Sequence, residues 1–224
     1  MPGSSYEEKP DFYFNRERGE MLPFVPGTAC RILEIGCGEG LFAAALKRQR
    51  PVEIIGIEPF AEAAREAATR IDQVHCVEIE QGLAKLHGEA FDCVVCNDVL
   101  EHLVDPWEVL RKLRALLRPG GTVVASIPNV RYMPVLKSLV LQGGWEYQDA
   151  GVLDRTHLRF FTQSGIRALF SQSGYRVNAL QGINGIRFPW KFGLLNRLTL
   201  GALDDTRYVQ FACVAEALPE PEGK

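Results

Sequence analysis

Two acids and a set of glycines near the N-terminus offer the first chemistry. Glu34 is followed by Gly36, Gly38 and Gly40, and Glu58 lies further along, about twenty residues past the glycines, where a ribose-binding carboxylate belongs in a strand–loop–helix nucleoside site. A carboxylate there can accept both ribose hydroxyl protons. The glycines let backbone approach a ligand with no Cβ in the way. Their spacing is G-x-G-x-G, not the dinucleotide fingerprint G-x-G-x-x-G. Acids at two strand ends serve no packing purpose, because carboxylates are rarely buried without a partner.

These residues need strands and helices to hold them. Arg31 to Ile35 reads as a short buried strand and Leu41 to Arg50 as a helix with Leu41, Phe42, Ala45 and Leu46 on one face. A second strand runs from Glu53 to Glu58, and the alanine-rich stretch Ala61 to Ile71 is helical by propensity. A third strand is expected over Val74 to Ile79, with Glu78 and Ile79 at its end, then a helical segment over Gln81 to His87. The fourth strand, Phe91 to Cys96, opens into Asn97-Asp98-Val-Leu-Glu101-His102. Asp105-Pro106-Trp107-Glu108 starts a helix, with Asp105 as cap and Glu108 completing a capping box. That helix stops at Arg118-Pro-Gly-Gly121, and Thr122 to Ile127 forms a fifth strand ending at Pro128-Asn129.

Alternating strands and helices with short connections imply a parallel sheet covered on both faces. Ligands in such sheets bind beyond the carboxyl ends of the strands. Glu34 to Gly40, Glu58, Glu78, Asn97 to His102 and Pro128-Asn129 all fall on that rim. Residues 130–160 break the rhythm and are placed as a lid, carrying a short amphipathic piece over Met133 to Leu141. Thr162 to Ser173 reads as a helix, and Tyr175 to Leu180 and Arg207 to Ala215 as strands. Between those strands, 183–203 reads as an apolar loop bearing Phe188, Pro189, Trp190, Phe192, Leu194 and Leu195. It could close the pocket, form a homodimer, touch a membrane or pack under the lid.

The domain layout expected is a leader or flap over 1–29, a catalytic domain over 30–216 and a polar tail over 217–224. In the leader, Tyr6, Phe12, Tyr13 and Phe14 stand among charges with Arg16 and Arg18 nearby. It is either an exposed helix or a flap with an arginine over the cofactor. The chain has 224 residues, enough for one α/β domain. Its net charge of -3, with no lysine or arginine run, argues against a nucleic-acid partner. No signal peptide or transmembrane stretch is read, so the expected location is cytoplasmic. The six cysteines are all expected to be buried free thiols. Cys93 and Cys96 lie an odd number apart on one strand, face opposite ways and cannot share a metal. No metal ligand set is read.

Taken together, Glu34-Ile-Gly-Cys-Gly-Glu-Gly40, Glu58, Asn97-Asp-Val-Leu-Glu-His102, Arg118-Pro-Gly-Gly121 and Ser126-Ile-Pro-Asn129 resemble the class I S-adenosylmethionine-dependent methyltransferases over residues 12–215. The resemblance implies a Rossmann-like α/β fold: a seven-stranded, mostly parallel sheet, helices on both faces, and an antiparallel last strand inserted beside the fifth. It implies S-adenosylmethionine as cofactor. Gly36 and Gly38 would approach its methionine part with Glu34 nearby. Glu58 would hold the ribose, Glu78 and Ile79 the adenine, and the Asn97 backbone the amino group. Many relatives carry aspartate at the position of Glu78; the longer side chain still reaches. Asp154-Arg-Thr-His-Leu-Arg-Phe-Phe-Thr162 looks like a subgroup that accompanies glycan and natural-product gene clusters, which associates the chain with a sugar or glycan precursor.

The expected reaction moves a methyl group to an oxygen or nitrogen of a small molecule. An alcohol acceptor needs a base. His157 is the first candidate and His102 the second, because an imidazole titrates near neutrality. Each has a structural alternative, a hydrogen-bonded lid residue for His157 and a cap for His102. Asp154 and Arg155 could orient His157 or bind substrate, and Tyr132 is a further candidate substrate contact. Arg131 and Lys137 could meet an anionic group or simply be solvated. The competing readings are an NAD-linked oxidoreductase and a catalytically inactive methyltransferase-like regulatory subunit.

Overall fold

The computed structural model describes residues 17–188 and 190–219, with the side chains of Lys191 and Leu195 not described. Tyr6, Phe12, Tyr13, Phe14, Arg16 and Pro189 therefore lie outside the described residues.

Seven strands form one sheet: β1 (Arg31–Ile35), β2 (Glu53–Ile57), β3 (Gln73–His75), β4 (Phe91–Asn97), β5 (Leu117–Pro128), β6 (Tyr175–Gly185) and β7 (Tyr208–Ala217). Their order is β3-β2-β1-β4-β5-β7-β6. The pairs among β1 to β5 are parallel, and β7 runs antiparallel between β5 and β6. This is the sheet expected from the sequence.

Period-two alternation along each strand builds two cores. On one face Leu33, Ile35, Val94, Cys96, Val123 and Phe211 meet Leu110 and Leu113 of α4 (Pro106–Arg114) and Ile166 and Leu169 of α6 (Gln163–Gln172). On the other, Ile32, Ile54, Cys93, Val95 and Val124 meet Phe42 and Leu46 of α1 (Leu41–Gln49), Ala67 of α2 (Ala61–Ala67), and Met21. Cys93 and Cys96 thus face opposite cores, as their spacing requires. Tyr175, buried on β6, donates its hydroxyl proton to the Leu110 carbonyl at 2.7 Å and ties that strand to α4.

Several expectations need correction. β3 stops at His75, and Glu78 instead precedes α3 (Ile79–Lys85); three residues suffice to pair an outer strand with β2. Two cysteines, Cys30 and Cys76, are exposed while Cys37, Cys93, Cys96 and Cys213 are buried. The exposed pair flank strands rather than sit within them. Arg118-Pro-Gly-Gly121 is an excursion inside β5: Leu117 pairs with Phe91, and the ladder resumes with Thr122 opposite Cys93. Asp105 does cap α4, accepting from the Glu108 amide at 2.9 Å, but the Glu108 carboxylate reaches forward to Arg111 and Lys112. The amphipathic piece forms α5 (Met133–Lys137), which continues into a π-turn over Ser138–Gln142.

The segment expected as an apolar loop is largely helix α7 (Trp190–Leu198), with Trp190, Leu194 and Leu198 exposed. Among the described residues no helix is long and apolar enough to cross a membrane.

Candidate functional site

A cavity of about 990 Å³ opens at the carboxyl ends of β1, β2 and β4. It is lined by Glu34, Gly36, Gly38, Glu58, Glu78, Ile79, Asn97, His102, Asp154, Arg155 and His157, so every site residue read from the sequence lies on it except Tyr132. Tyr132 stands at the start of α5, where its amide donates to the Asn129 carbonyl. Among the described residues of the former loop segment 183–203, Asn184 reaches the wall.

One end of the cavity is the glycine turn after β1. Gly36 has φ +65°, and a Cβ there would stand 3.0 Å from Val99 Cγ2; the left-handed backbone and the close neighbour both demand glycine. The Gly36 amide is tied to the Ile57 carbonyl at 2.8 Å. Glu58 is buried, and its carboxylate accepts from the Gly38 amide at 2.8 Å and the Phe60 amide at 3.1 Å. Burial raises its pKa, and the two amides work against the rise. Glu34 is buried beside it, one carboxylate oxygen having no partner. Burial, reinforced by the Glu58 charge, lifts the Glu34 pKa to about 8, so it holds its proton at neutral pH. Both amide atoms of the Asn97 side chain are also without a partner. A turn closed to any side chain, with orphaned polar atoms beside it, suits a polar nucleoside-sized ligand.

The far end is built by the turn after β4 and by lining residues between positions 150 and 158. Asp98 adopts φ +55°, which places its carboxylate 2.7 Å from the Arg18 guanidinium. Ser126 Oγ donates to the same carboxylate at 2.9 Å and Gln210 Nε2 at 2.6 Å. Arg18 lines the cavity, so of the leader's two arginines the described one reaches it. Glu101 is fully buried, and neither carboxylate oxygen has a hydrogen-bond partner. Burial, with the Asp98 charge adding to it, pushes its pKa well up. Its backbone carbonyl accepts from the amides of Leu158 and Arg159, which pins that stretch of chain to this turn.

His102 Nδ1 lies 3.1 Å from the Thr156 carbonyl, and His157 Nδ1 lies 3.0 Å from the Val152 carbonyl. A carbonyl only accepts, so both Nδ1 atoms carry the proton. The two rings meet edge to face with centroids 4.7 Å apart. Burial and the neighbouring His157 lower the His102 pKa to about 4, and the ring is neutral at pH 7. Asp154 Oδ1 accepts from the Thr156 amide and hydroxyl. Arg155 reaches to Asp149 at 2.7 Å.

Sequence reasoning missed Glu101 as a site residue. Its signal was present, a glutamate directly before a histidine at a strand's carboxyl end, but burial was not readable there. Ser126 stood in a motif that carried the resemblance but had no role assigned, and Gln210 had no signal beyond its strand.

A family profile described as a methyltransferase domain matches residues 6–180. The ubiquinone biosynthesis O-methyltransferase of Aeromonas salmonicida is 30% identical over 189 residues, covering 80% of this chain and 74% of that protein. A SAM-dependent methyltransferase structure from Archaeoglobus fulgidus superposes with a TM-score of 0.63 at 18% identity, covering 92% of this chain and 93% of its own. The [4+2]-cyclase SpnF superposes equally well, with a TM-score of 0.63 at 18% identity over 89% of this chain and 79% of its own. The shared architecture alone therefore does not set the reaction.

Proposed function

This chain belongs to the class I S-adenosylmethionine-dependent methyltransferases, and we propose that it transfers the methyl group to a hydroxyl oxygen of a small molecule. Family membership sets aside the NAD-linked alternative. The observation that carries the reading is that the glycine turn with its two acids and the Glu101, His102 and His157 cluster line one cavity.

The cradle fits the cofactor. Gly36 and Gly38 would run beside its methionine part, Glu58 would take the ribose hydroxyls, Ile79 and Glu78 the adenine, and the Asn97 backbone the amino group. Glu34, holding its proton, would offer a donor without adding a second negative charge. The sulfonium supplies an electrophilic methyl carbon. The chain's own task is to place the acceptor oxygen in line with that carbon, exclude water and relieve the oxygen of its proton. The cluster at the far wall is suited to that last step.

A hydroxyl acceptor is favoured over an amine because the relative from Aeromonas salmonicida is named an O-methyltransferase. Incubation with S-adenosylmethionine and separate panels of phenols, sugars and amines, with products read by mass spectrometry, tests this. O-methylated product with S-adenosylhomocysteine is expected; methyl transfer only to amines overturns it. Tight cofactor binding with no transfer to any acceptor would instead favour the inactive regulatory subunit.

A further inference from the structure

We propose that Glu101, His102 and His157 hold a divalent transition-metal cation, which binds and acidifies the acceptor hydroxyl. One potential ligand atom from each of the three lies within 4.8 Å of the others, a spacing that one ion at ordinary ligand distances of about 2.0–2.2 Å can bridge.

Two further observations point to a cation. Glu101 is fully buried with both carboxylate oxygens lacking a hydrogen-bond partner. A buried carboxylate is retained when something positive or hydrogen-bonding meets it, and no described side chain hydrogen-bonds to this one. In addition, each imidazole is fixed by its Nδ1 proton on a backbone carbonyl, Thr156 for His102 and Val152 for His157. That is the outer-shell arrangement of a metal-bound histidine, in which a carbonyl partner fixes the ring's orientation and tautomer. The two rings stand edge to face at 4.7 Å, a distance at which they can share one ion.

Two imidazole nitrogens and one carboxylate favour an ion such as zinc, iron(II), cobalt(II) or manganese over calcium or magnesium, which prefer all-oxygen sets. Three protein ligands leave coordination positions open for exogenous oxygens. The site faces the cavity, so an acceptor hydroxyl can occupy one of them. A cation lowers the pKa of a bound hydroxyl; the released proton passes to solvent, and the oxygen's electron pair then forms the bond to the methyl carbon. The inference rests on the methyltransferase reading for its role, but binding of the ion does not.

The test uses the full-length protein and cobalt(II) as probe. After chelation and dialysis, cobalt(II) is titrated in while the visible absorption and the heat of binding are recorded, alongside a separate titration with S-adenosylhomocysteine. About one equivalent of cobalt(II) is expected, with a ligand-field spectrum of a nitrogen-containing site. Glu101→Gln and His157→Ala should each weaken cobalt binding at least tenfold and leave S-adenosylhomocysteine affinity within about twofold, which also certifies their folds. No cobalt spectrum in wild-type protein that binds S-adenosylhomocysteine overturns the metal site alone. So does a spectrum unchanged in a variant that keeps S-adenosylhomocysteine binding. If Glu101→Gln fails to fold, His157→Ala and His102→Ala decide by the same readouts. Loss of S-adenosylhomocysteine binding in the wild type would count against the cofactor reading instead.

Discussion

His102 Nδ1 faces the backbone carbonyl of Thr156 at 3.1 Å, so the turn after β4 is tied to the segment that carries His157. Thr156 is in turn held by Asp154, whose Oδ1 accepts from both its amide and its hydroxyl, at 2.9 and 2.8 Å. We therefore propose that Asp154, which also lines the cavity, acts through Thr156 to set the position of the His102 ring.

Removing that support should affect turnover more than cofactor binding. Asp154→Ala is expected to lower kcat roughly tenfold or more, since small misplacements of a reacting group are costly. S-adenosylhomocysteine affinity should hold, because the glycine turn is built from other strands. Asp154→Asn keeps an acceptor oxygen and should recover much of the rate. Steady-state kinetics with calorimetry checks this; equal loss in both variants would assign Asp154 a charge role instead.

The glycine turn gives a complementary outcome. Gly36→Ala places a Cβ on a backbone with φ +65° and 3.0 Å from Val99 Cγ2, a strain of about 1–2 kcal/mol before any clash is relieved. Cofactor affinity should fall at least tenfold and Tm should drop, with methyl transfer lost as a consequence. Unchanged S-adenosylhomocysteine binding by calorimetry would mean that the ligand does not approach this turn.

Much of this was legible in the sequence because it is local. The glycine turn announces itself through residues that only a tight, ligand-approaching backbone needs, and strand alternation fixes which face Cys93 and Cys96 take. β3 was overrun because Val77 and Ile79 look like strand residues, whereas Ile79 opens α3. α7 was hidden because apolar content without clean periodicity reads as loop, and its exposed Trp190 and Leu198 offer no packing signal. The Glu101, His102 and His157 cluster joins positions some fifty residues apart in sequence through the lid's return to the turn after β4. Such a contact is tertiary, and spacing along the chain does not encode it.

The α4 start provides a stability check away from the cavity. Asp105 accepts from the Glu108 amide at 2.9 Å and Pro106 occupies the first turn. Asp105→Ala should cost about 1 kcal/mol of stability, read by urea unfolding, with cofactor affinity unchanged. A second variant, Glu108→Ala, should cost much less, since its carboxylate pairs with exposed Arg111 and Lys112. Equal costs would restore the reciprocal capping box.

Glu34 makes the stability of the ligand-free protein depend on pH in a definite direction. Its pKa rises from 4.5 to about 8 on folding, chiefly through burial. Between those values the folded chain keeps a proton that the unfolded chain releases, so this group's contribution is complete below the unfolded pKa and is lost as pH rises through the folded one. The slope approaches about 1.4 kcal/mol per pH unit for one such group. Glu34→Gln keeps the shape and removes the titration. Urea unfolding from about pH 5 to pH 8 should show wild type losing on the order of 2–4 kcal/mol relative to the variant. Parallel curves would mean that Glu34 ionises normally inside the fold, and the donor role assigned to its proton beside the glycine turn would go with it.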